Sequence, residues 1–412
     1  MDPDDPPFVV PGRLHRALPD PDAVGEDEAL ATAIREEITQ HGPITFARFM
    51  QRALYEPGHG YYRRAQAGPG LAGADFLTAP EAHPIFGAAV GRLVEEAWLA
   101  MGRPAPFTIT EPGAGSGALA AGLLRGLRDL GSPLLPLVRY RPVEVEAARL
   151  DALRERLAAD GLDDHLAGDG GSSHGPDDAG AVIANEVLDA LPVHRVRQRD
   201  GRLMELAVTT DTAGQFREVE IEPTTSALQT RLAGESVELA EGQTAEICLA
   251  LDAWIAEAAA PLARGLLLLI DYGAPAAQLY DPVRRRDGTL RAYVRHQVHD
   301  DPYRHVGRQD LTAHVDVTAV ERAARAAGLA TIGTTTQAEA LMGLGIEERL
   351  RVIQADPATT FEAYTHLRSS LMRLLDPAAM GRFRVMAFGR DWDDDPAADP
   401  LRMFAYRLPT TR

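Results

Sequence analysis

A glycine-rich turn at positions 111–117 has the composition and spacing of a ligand-binding loop. It reads EPGAGSG and lies between a short apolar run and a stripe of leucines at helical spacing. Gly113, Gly115 and Gly117 let the backbone approach a ligand, and the start of the following helix offers free N–H groups. A dinucleotide fingerprint reads G-x-G-x-x-G, whereas the third glycine here comes one residue earlier and Glu111 precedes the turn. A carboxylate there would repel a pyrophosphate, so the turn suits a ligand with an ammonium or sulfonium group. A tight turn without a ligand is the structural alternative.

Acidic residues near the expected ends of the next two strands are candidates to hold a nucleoside. Glu144 ends a strand 27 residues after Gly117, a spacing close to that of acids that accept hydrogen bonds from ribose hydroxyls. Glu146 is the competing candidate, and a solvated acid at a helix start is the structural alternative for both. Asp169, in a Gly-Asp-Gly segment, is a candidate for binding an adenine amino group.

A third polar group follows the apolar run at 181–184. It reads NEVLDALP and contains Asn185, Glu186 and Asp189. Ligands of open parallel sheets lie beyond the carboxyl ends of the strands, so these side chains should face the same site as the glycine turn. Two carboxylates there would orient a cationic nucleophile such as a guanidinium through paired hydrogen bonds. Helix capping by Asn185 and Asp189 is the structural alternative.

Histidines cluster late in the chain, but their spacing matches no metal-binding signature. His296, His299, His305 and His314 alternate with aspartates in a polar stretch. We therefore predict no metal site and interpret these residues as hydrogen-bonded histidines of a loop near the substrate.

The composition narrows the classes of partner. The 412 residues carry a formal net charge of −18, which opposes nucleic-acid binding because that requires a basic surface. All 42 basic residues are arginine, so lysine nucleophiles and Schiff bases are excluded. Cys248 is the single cysteine, which excludes an internal disulfide and fits a reducing compartment. No apolar run reaches membrane length and the N-terminus lacks a secretory pattern, so we expect a cytoplasmic protein without membrane contact.

The elements that must position these residues follow an α/β pattern. From residue 107, short apolar runs alternate with amphipathic helices, which is typical of a parallel sheet with crossover helices. Helix 29–41 and a second helix capped by Thr45 would precede this part. The predicted elements from there on are strands at 107–111, 139–145, 181–184, 265–271 and 329–333, helices at 148–159 and 317–327, a hairpin at 194–198 and 203–208, a strand at 216–221 and a helix at 244–262. We interpret the polar stretch 274–315 as a long irregular loop of the lid or binding type.

The predicted organisation has a single α/β core with additions. Its parts are a flexible lead at 1–26, an N-terminal helical and loop extension at 27–105, a core at 106–193 and 262–336, an antiparallel hairpin and helix insertion at 194–261, a C-terminal helical part at 337–390 and a tail at 391–412.

Several segments together resemble the MidA family of methyltransferases over about residues 44–390. The matching segments are GPITF at 42–46, YxPxxGYY at 55–62, DFLTAPE at 75–81, FG at 86–87, NEVLDALPV at 185–193, DYG at 271–273 and DLTAHVD at 310–316. At the glycine turn the family usually reads ELGPGRG. Here Pro112, Ala114 and Ser116 replace the Leu, Pro and Arg of that pattern, whereas all three glycines and Glu111 are retained.

The resemblance implies a Rossmann-like class I methyltransferase with a mostly parallel central sheet and S-adenosyl-L-methionine above the glycine turn. Glu111, the three glycines, Glu144, Asp169 and Asn185 would then contact this donor. Mitochondrial members of the family assist respiratory complex I assembly by dimethylating an arginine. The resemblance therefore implies a protein substrate, such as a respiratory complex subunit.

The acceptor side of this hypothesis is a carboxylate clamp. Glu186 is the first candidate to orient a substrate guanidinium, with Asp189 and Glu81 as further candidates. His314 is the candidate base, because the guanidinium must lose a proton as its nitrogen attacks. The alternative is a non-catalytic assembly factor that keeps the fold and the donor. Apolar residues in place of Asn185 or Glu186 would have favoured it. Both polar residues are present, so we favour an enzyme. The glycine spacing disfavours an NAD-dependent oxidoreductase.

Overall fold

The structure, a computed structural model, describes residues 24–64, 78–167, 179–295, 297–392 and 401–408. Its α-helices are α1 Glu28–His41, α2 Phe46–Tyr55, α3 Ala79–Ala82, α4 Ile85–Ala100, α5 Ala118–Asp129, α6 Ala147–Ala159, α7 Ala227–Gly234, α8 Leu251–Ala259, α9 Ala276–Leu279, α10 Val317–Ala326, α11 Gln337–Gly343, α12 Ile346–Ala355 and α13 Phe361–Leu375. Its strands are β1 Ile44–Thr45, β2 Phe107–Pro112, β3 Val138–Val143, β4 Ala179–Asn185, β5 His194–Arg199, β6 Arg202–Thr210, β7 Phe216–Ile221, β8 Thr244–Ile247, β9 Arg264–Asp271, β10 Gly273–Ala274, β11 Arg291–Val294, β12 Gln297–His299, β13 Asp310–Thr312, β14 Val315–Asp316, β15 Ala330–Thr336 and β16 Arg384–Arg390.

A mixed sheet with helices on both faces forms the α/β core. Its strand order is β15-β16-β9-β4-β2-β3. Strands β3, β2, β4 and β9 pair in parallel, whereas β16 is antiparallel to both of its neighbours. The carboxyl ends of these four parallel strands therefore meet at one edge of the sheet, where polar side chains follow them in the sequence.

Strand β9 shows why this sheet carries a layer on each face. Its residues are almost entirely apolar and buried, as expected for a central strand covered on both sides. Leu266 and Leu268 pack with α4, α5 and α6, whereas Leu267 and Leu269 pack with α8 and α10. Alternation of side chains along the strand thus divides one leucine run between two hydrophobic cores.

A second sheet joins the N-terminal extension to the predicted insertion. Strands β5, β6, β7 and β8 pair antiparallel, and β1 adds to β6 through Ile44 and Thr45. The predicted hairpin turn is confirmed, since Asp200 and Gly201 both have positive φ angles, of 51° and 72°, and link strands β5 and β6. The insertion is therefore not a separate unit, because a strand from outside residues 194–261 belongs to its sheet.

The helix predicted at 244–262 is wrong in its first part. Residues Thr244–Ile247 form β8, which pairs with β5, and the helix begins only at Leu251. Ile247 fits both the helical apolar spacing and a buried strand, so periodicity alone could not assign it. Four cross-strand partners and complete burial of β8 favour the strand.

Two other expectations about the later part of the chain also need correction. The stretch 274–315 is not irregular, because β11 pairs with β12 and β13 and carries buried Ala292 and Val294. The part at 337–390 is not wholly helical, because it ends in β16, which lies inside the main sheet between β9 and β15. In the first case, the pairing involves short strands with few apolar residues, β12 and β13. In the second case, β16 pairs with β9, which is distant in the sequence.

The structure describes part of each end of the chain. Residues 1–23 of the predicted lead and 393–400 and 409–412 of the predicted tail lie outside the described residues. Within the tail, Met403 is fully buried and the Leu408 N–H donates to Glu339, so 401–408 packs on the core rather than remaining loose. Among the described helices, none is both long and apolar enough to cross a membrane.

Helices α4 and α5 approach closely at two glycines. A Cβ added at Gly87 would lie 2.8 Å from the Cα of Gly122, which is backbone and cannot rotate away. We expect Gly87→Ala to lower the free energy of unfolding by roughly 1–3 kcal/mol, because the two helices must separate. Chemical denaturation measures this change.

Gly234→Ala is the matched control for that prediction. Gly234 also lies in a helix, but its added Cβ would meet only the flexible end of Arg322, at 3.4 Å. The control should be neutral or stabilising by up to about 1 kcal/mol. Equal effects of the two substitutions would contradict the proposed close contact.

Candidate functional site

A cavity of about 330 Å³ lies at the carboxyl edge of the parallel strands. The glycine turn forms its floor, the ends of β3 and β4 form two sides, and the N-terminal extension and α8 complete the wall. Its lining residues are Tyr55, Tyr62, Thr78, Pro80, Glu81, Glu111, Pro112, Gly113, Ala114, Gly115, Ser116, Ala118, Leu119, Val143, Glu144, Val145, Arg149, Asn185, Glu186, Val187, Ala190, Leu191 and Trp254. Most candidate residues from three separate sequence segments therefore meet around one space.

The three glycines of the turn serve different purposes. Gly113, Gly115 and Gly117 have φ angles of 70°, 53° and 78°, in the region that favours glycine. A Cβ at Gly113 would lie 2.8 Å from Val187, and one at Gly117 would lie 2.6 Å from Leu153. Only Gly115 faces open space, so Gly115 gives a ligand its closest access while the other two allow the turn to pack.

Glu111 is a buried carboxyl group at the base of the cavity. It is 4% exposed, and the Tyr140 hydroxyl donates a hydrogen bond of 2.6 Å to it. Burial raises the pKa of Glu111 to about 8; the Tyr140 hydrogen bond opposes this rise and the nearby Glu144 adds to it. A cation in the cavity would favour the ionised form, which fits the predicted preference for a positively charged ligand.

Glu144, rather than Glu146, lies at the cavity wall. The Glu144 carboxylate accepts hydrogen bonds from the backbone N–H groups of Gly115 and Val145, at 3.0 and 2.7 Å. It also pairs with Arg149 at 3.4 Å. Glu146 is instead the residue that precedes α6, and it does not line the cavity. The structure therefore favours Glu144 as the acid that meets a ligand, and it ties this acid to the glycine turn.

Glu186 projects into the cavity from a strained backbone position. Its φ angle is 53°, which is uncommon for a residue with a side chain. Its carboxylate accepts hydrogen bonds from the Ala79 N–H, at 3.2 Å, and from the Asn185 side chain, at 3.0 Å. Burial and the neighbouring Asp189 raise the pKa of Glu186 to about 7. The carboxyl group can therefore both bind a cation and exchange a proton near neutral pH.

Asn185 has an unused acceptor beside Glu186. The Oδ1 atom of Asn185 is buried and has no hydrogen-bond partner among the described residues. Since buried polar atoms normally have partners, this atom is available to a donor group of a ligand.

Asp189 and His314 do not line this cavity. The Tyr272 hydroxyl donates to Asp189, and burial raises the pKa of Asp189 to about 6. The His314 ring packs against the other side of Tyr272, with ring centroids 5.4 Å apart. Burial first, and then nearby arginines, lower the pKa of His314 to about 4. Because His314 does not line the cavity, the structure does not support His314 as the base.

Glu81 reaches the cavity and contacts the turn where the family pattern differs. The Ser116 hydroxyl donates to Glu81, and the Arg156 guanidinium lies 3.6 Å from the same carboxylate. A positive charge thus remains next to Glu81 although Ser116 replaces an arginine. Asp169 and His296, also predicted from the sequence, lie outside the described residues.

Sequence reasoning did not assign a role to Asp271, which holds the Glu186 turn. Its carboxylate accepts hydrogen bonds from the N–H groups of Val187, Leu188 and Asp189, at 3.2, 2.9 and 3.3 Å. The DYG segment after a buried strand was the available signal, since polar residues at such strand ends face the site.

Two tyrosines of the N-terminal extension also form part of the wall. The rings of Tyr55 and Tyr62 stack at 5.6 Å, and their hydroxyls donate to the Ala190 carbonyl and to Asp310. Because both hydroxyls are engaged within the protein, the cavity meets aromatic faces here. The YxPxxGYY segment was the signal for this wall.

The fold and the cavity define an α/β methyltransferase. Residues 89–335 match the family model described as "Putative S-adenosyl-L-methionine-dependent methyltransferase". A Burkholderia thailandensis protein in a crystal structure with S-adenosylhomocysteine bound is 36% identical, with a TM-score of 0.83 and coverage of 94% of this chain and 97% of that one.

Curated relatives extend this similarity to named enzymes. The Drosophila melanogaster protein arginine methyltransferase NDUFAF7 homolog is 30% identical over 382 residues, covering 87% of this chain and 84% of the relative. The Mus musculus protein arginine methyltransferase NDUFAF7 is 27% identical over 404 residues, covering 92% and 89%. The chain belongs to this MidA-like family of S-adenosyl-L-methionine-dependent methyltransferases, which confirms the resemblance and the methyl donor predicted from the sequence.

Replacing Glu144 should weaken donor binding. We expect Glu144→Ala to reduce affinity for S-adenosylhomocysteine by roughly 5- to 100-fold, the usual effect of losing a hydrogen bond to a charged group. Titration calorimetry measures this, and a melting curve shows whether loss of the Gly115 and Arg149 contacts also lowers stability. Glu146→Ala should change affinity by less than about twofold, because Glu146 lies outside the cavity. A larger effect at Glu146 would mean that the wrong acid has been assigned.

Binding of the cationic donor should release a proton from Glu111. With a pKa of about 8, Glu111 is mostly protonated at pH 7, and a nearby cation lowers that pKa. Affinity for S-adenosylmethionine should therefore rise with pH up to about 8, and the apparent binding enthalpy at pH 7 should differ between phosphate and Tris buffers.

Two substitutions separate this effect from general titration of the protein. Glu111→Gln should remove most of the buffer dependence. Glu96→Gln should retain it, because Glu96 also has a pKa raised by burial, to about 7, but lies in α4 away from the cavity. Equal enthalpies in both buffers for the unmodified protein would rule out proton release.

Proposed function

We propose that this methyltransferase transfers methyl groups to arginine side chains of a partner protein. The observation that carries the proposal is the Glu186 carboxylate, which lies at the cavity wall with a pKa of about 7. A carboxylate in this position can pair with a guanidinium through two hydrogen bonds. The names of the curated relatives, which are protein arginine methyltransferases, support the same substrate class.

The residues present fit S-adenosyl-L-methionine. Gly115 leaves space above the turn, Glu111 offers a negative charge, Glu144 offers acceptor atoms, and Asn185 has an unused Oδ1. When bound, the donor supplies a methyl group from its sulfonium, so that a C–S bond breaks as a C–N bond forms. These four residues would hold and orient it, and the protein's contribution is mainly positioning and charge.

Glu186 has two tasks in this proposal. It first binds the guanidinium and aims one nitrogen at the methyl group. It then accepts the proton that this nitrogen loses, for which a pKa near neutrality is suitable. Glu81 also lines the cavity and is a second candidate to bind the cation, whereas Asp189 is placed to act only through Tyr272 and Glu186.

The proposal also covers the partner protein and the cellular compartment. We propose a protein target, such as a respiratory complex subunit, as the family resemblance implies. We also propose action in the cytoplasm, since the single Cys248 fits a reducing compartment.

Glu186→Gln tests the proposed role because it keeps the size of the side chain and removes its charge. In cells that lack the gene, the unmodified protein should restore specific methylarginines seen by mass spectrometry, whereas the variant should restore about 100-fold less. Affinity for S-adenosylhomocysteine should change by less than about threefold, because other residues hold the donor. Glu146→Gln is the matched control and should behave like the unmodified protein.

The pH dependence separates this role from a structural one. Methyl transfer needs the ionised carboxylate, so its rate should rise through about pH 7 in the unmodified protein and lose this rise in Glu186→Gln. Because the pKa of Glu186 is higher in the folded than in the unfolded state, the unmodified protein loses stability as pH rises from about 4.5 to 7. The variant should therefore gain relative stability at pH 8 but not at pH 5. Lower stability with normal methylation would instead assign Glu186 a structural role and favour a non-catalytic assembly factor.

A further inference from the structure

Three arginines, Arg285, Arg291 and Arg382, lie close enough to His314 to act electrostatically on its ring, which packs against Tyr272. Arg291 begins β11 and lies opposite Thr312 in β13, two residues before His314. Arg382 immediately precedes Phe383, whose ring lies 5.3 Å from the ring of Tyr272. We call Arg285, Arg291 and Arg382 the arginine cluster.

Arg285 reaches the same place through a turn. The Gly288 N–H donates to the Arg285 carbonyl, and the next residue, Thr289, accepts a hydrogen bond of 3.1 Å from the His314 N–H. Arg382 is exposed, whereas Arg285 and Arg291 are half-buried. The cluster therefore presents guanidinium groups to solvent around a partly buried histidine.

The charges of the cluster are poorly neutralised within the protein. Arg285 and Arg382 form no ion pair with any carboxylate that the structure describes, and Arg291 has only the exposed Asp300, at 3.4 Å. Burial, and then the charges of Arg382 and Arg291, lower the pKa of Arg285, as expected where like charges lie near one another. Glu246 also influences Arg285, but its carboxylate already accepts hydrogen bonds from Thr289.

Neighbouring arginines on another surface of this protein share carboxylate partners. On the antiparallel sheet, Arg195, Arg197 and Arg199 pair with Glu218 and Glu220 at hydrogen-bonding distance. The three neighbouring arginines of the cluster, with Asp300 as their one carboxylate partner among the described residues, contrast with that arrangement. Such a group favours an acidic ligand that supplies the missing charges.

The cluster adjoins the methyl-transfer site. Tyr272 contacts His314 on one side and donates its hydroxyl to Asp189 on the other. Asp189 and the arginines Arg291 and Arg382 all act electrostatically on the half-buried Tyr293, so the acidic and the basic groups share this neighbour. The cluster is therefore near enough to contact residues that flank an arginine bound at Glu186.

We propose that the arginine cluster binds aspartate or glutamate side chains that flank the acceptor arginine in the protein substrate. This inference rests on the proposed arginine methylation. A polypeptide is favoured over a nucleic acid, because the protein's formal net charge of −18 opposes binding of a long phosphate backbone. Paired hydrogen bonds from the guanidinium forks would recognise the carboxylates.

Two synthetic peptides test the proposal. Each is a fluorescein-labelled Gly/Ser peptide with a central arginine, flanked on both sides by two aspartates in one and by two asparagines in the other. With S-adenosylhomocysteine present, fluorescence anisotropy should show about tenfold or tighter binding of the aspartate peptide. Raising the salt concentration from 0.05 to about 0.5 M should remove most of this preference, because exposed charges are screened.

Charge-reversal substitutions test whether the arginine cluster causes the preference for the aspartate peptide. Arg382→Glu and Arg285→Glu should each weaken the aspartate peptide by about fivefold or more and leave the asparagine peptide nearly unchanged. Arg368→Glu is the matched control, since Arg368 is exposed on α13 and has no ion pair among the described residues. It should change binding by less than about twofold.

Methyl transfer from S-adenosylmethionine to both peptides, followed by mass spectrometry, separates the two proposals. Methylation with equal binding of both peptides, or an equal loss in Arg368→Glu, would overturn the role of the cluster while the proposed function stands. Cluster-dependent binding without any methylarginine would overturn the proposed function and leave the acidic-polypeptide site in place.

Discussion

The Asp271 carboxylate accepts hydrogen bonds from three consecutive backbone N–H groups, and the site depends on this interaction. It links the end of β9 to the turn that follows β4, and the Glu186 N–H donates in addition to the Ile270 carbonyl. These contacts hold Glu186 at a φ angle of 53°, which an isolated turn would not adopt readily. The direction of the Glu186 side chain, and hence the proposed acceptor site, follows from them.

The cavity is lined by carboxyl groups whose pKa values are raised by burial. The pKa values of Glu111 and Glu186 are raised to about 8 and about 7. Without a ligand, both groups are partly protonated near neutral pH, which avoids repulsion between buried negative charges. The sulfonium donor, and the guanidinium acceptor that we propose, would each stabilise the ionised forms of these carboxyl groups.

The N-terminal extension supplies part of the cavity wall and is not only a peripheral addition to the core. Tyr55 and Tyr62 form one wall, and the Ala79 N–H orients Glu186 from a second direction. The extension is held in place by β1, which pairs with β6, and by α2, which packs on the same antiparallel sheet. Donor binding and acceptor binding are therefore both coupled to folding of this extension.

The sequence by itself determined those helices, strands and turns that depend on interactions between residues close together in the chain. It also determined which polar residues lie at strand ends. Apolar runs marked the buried strands, glycine spacing marked the turn, and Glu111, Glu144 and Glu186 followed because polar residues after such strands must meet at one edge. Tertiary structure alone decided which groups share the cavity. It placed β16 between β9 and β15, made residues 244–247 a strand, and left His314 outside the cavity, against the ring of Tyr272. These outcomes depend on pairing and packing between distant segments, whose energies do not appear in the spacing of residues along the chain.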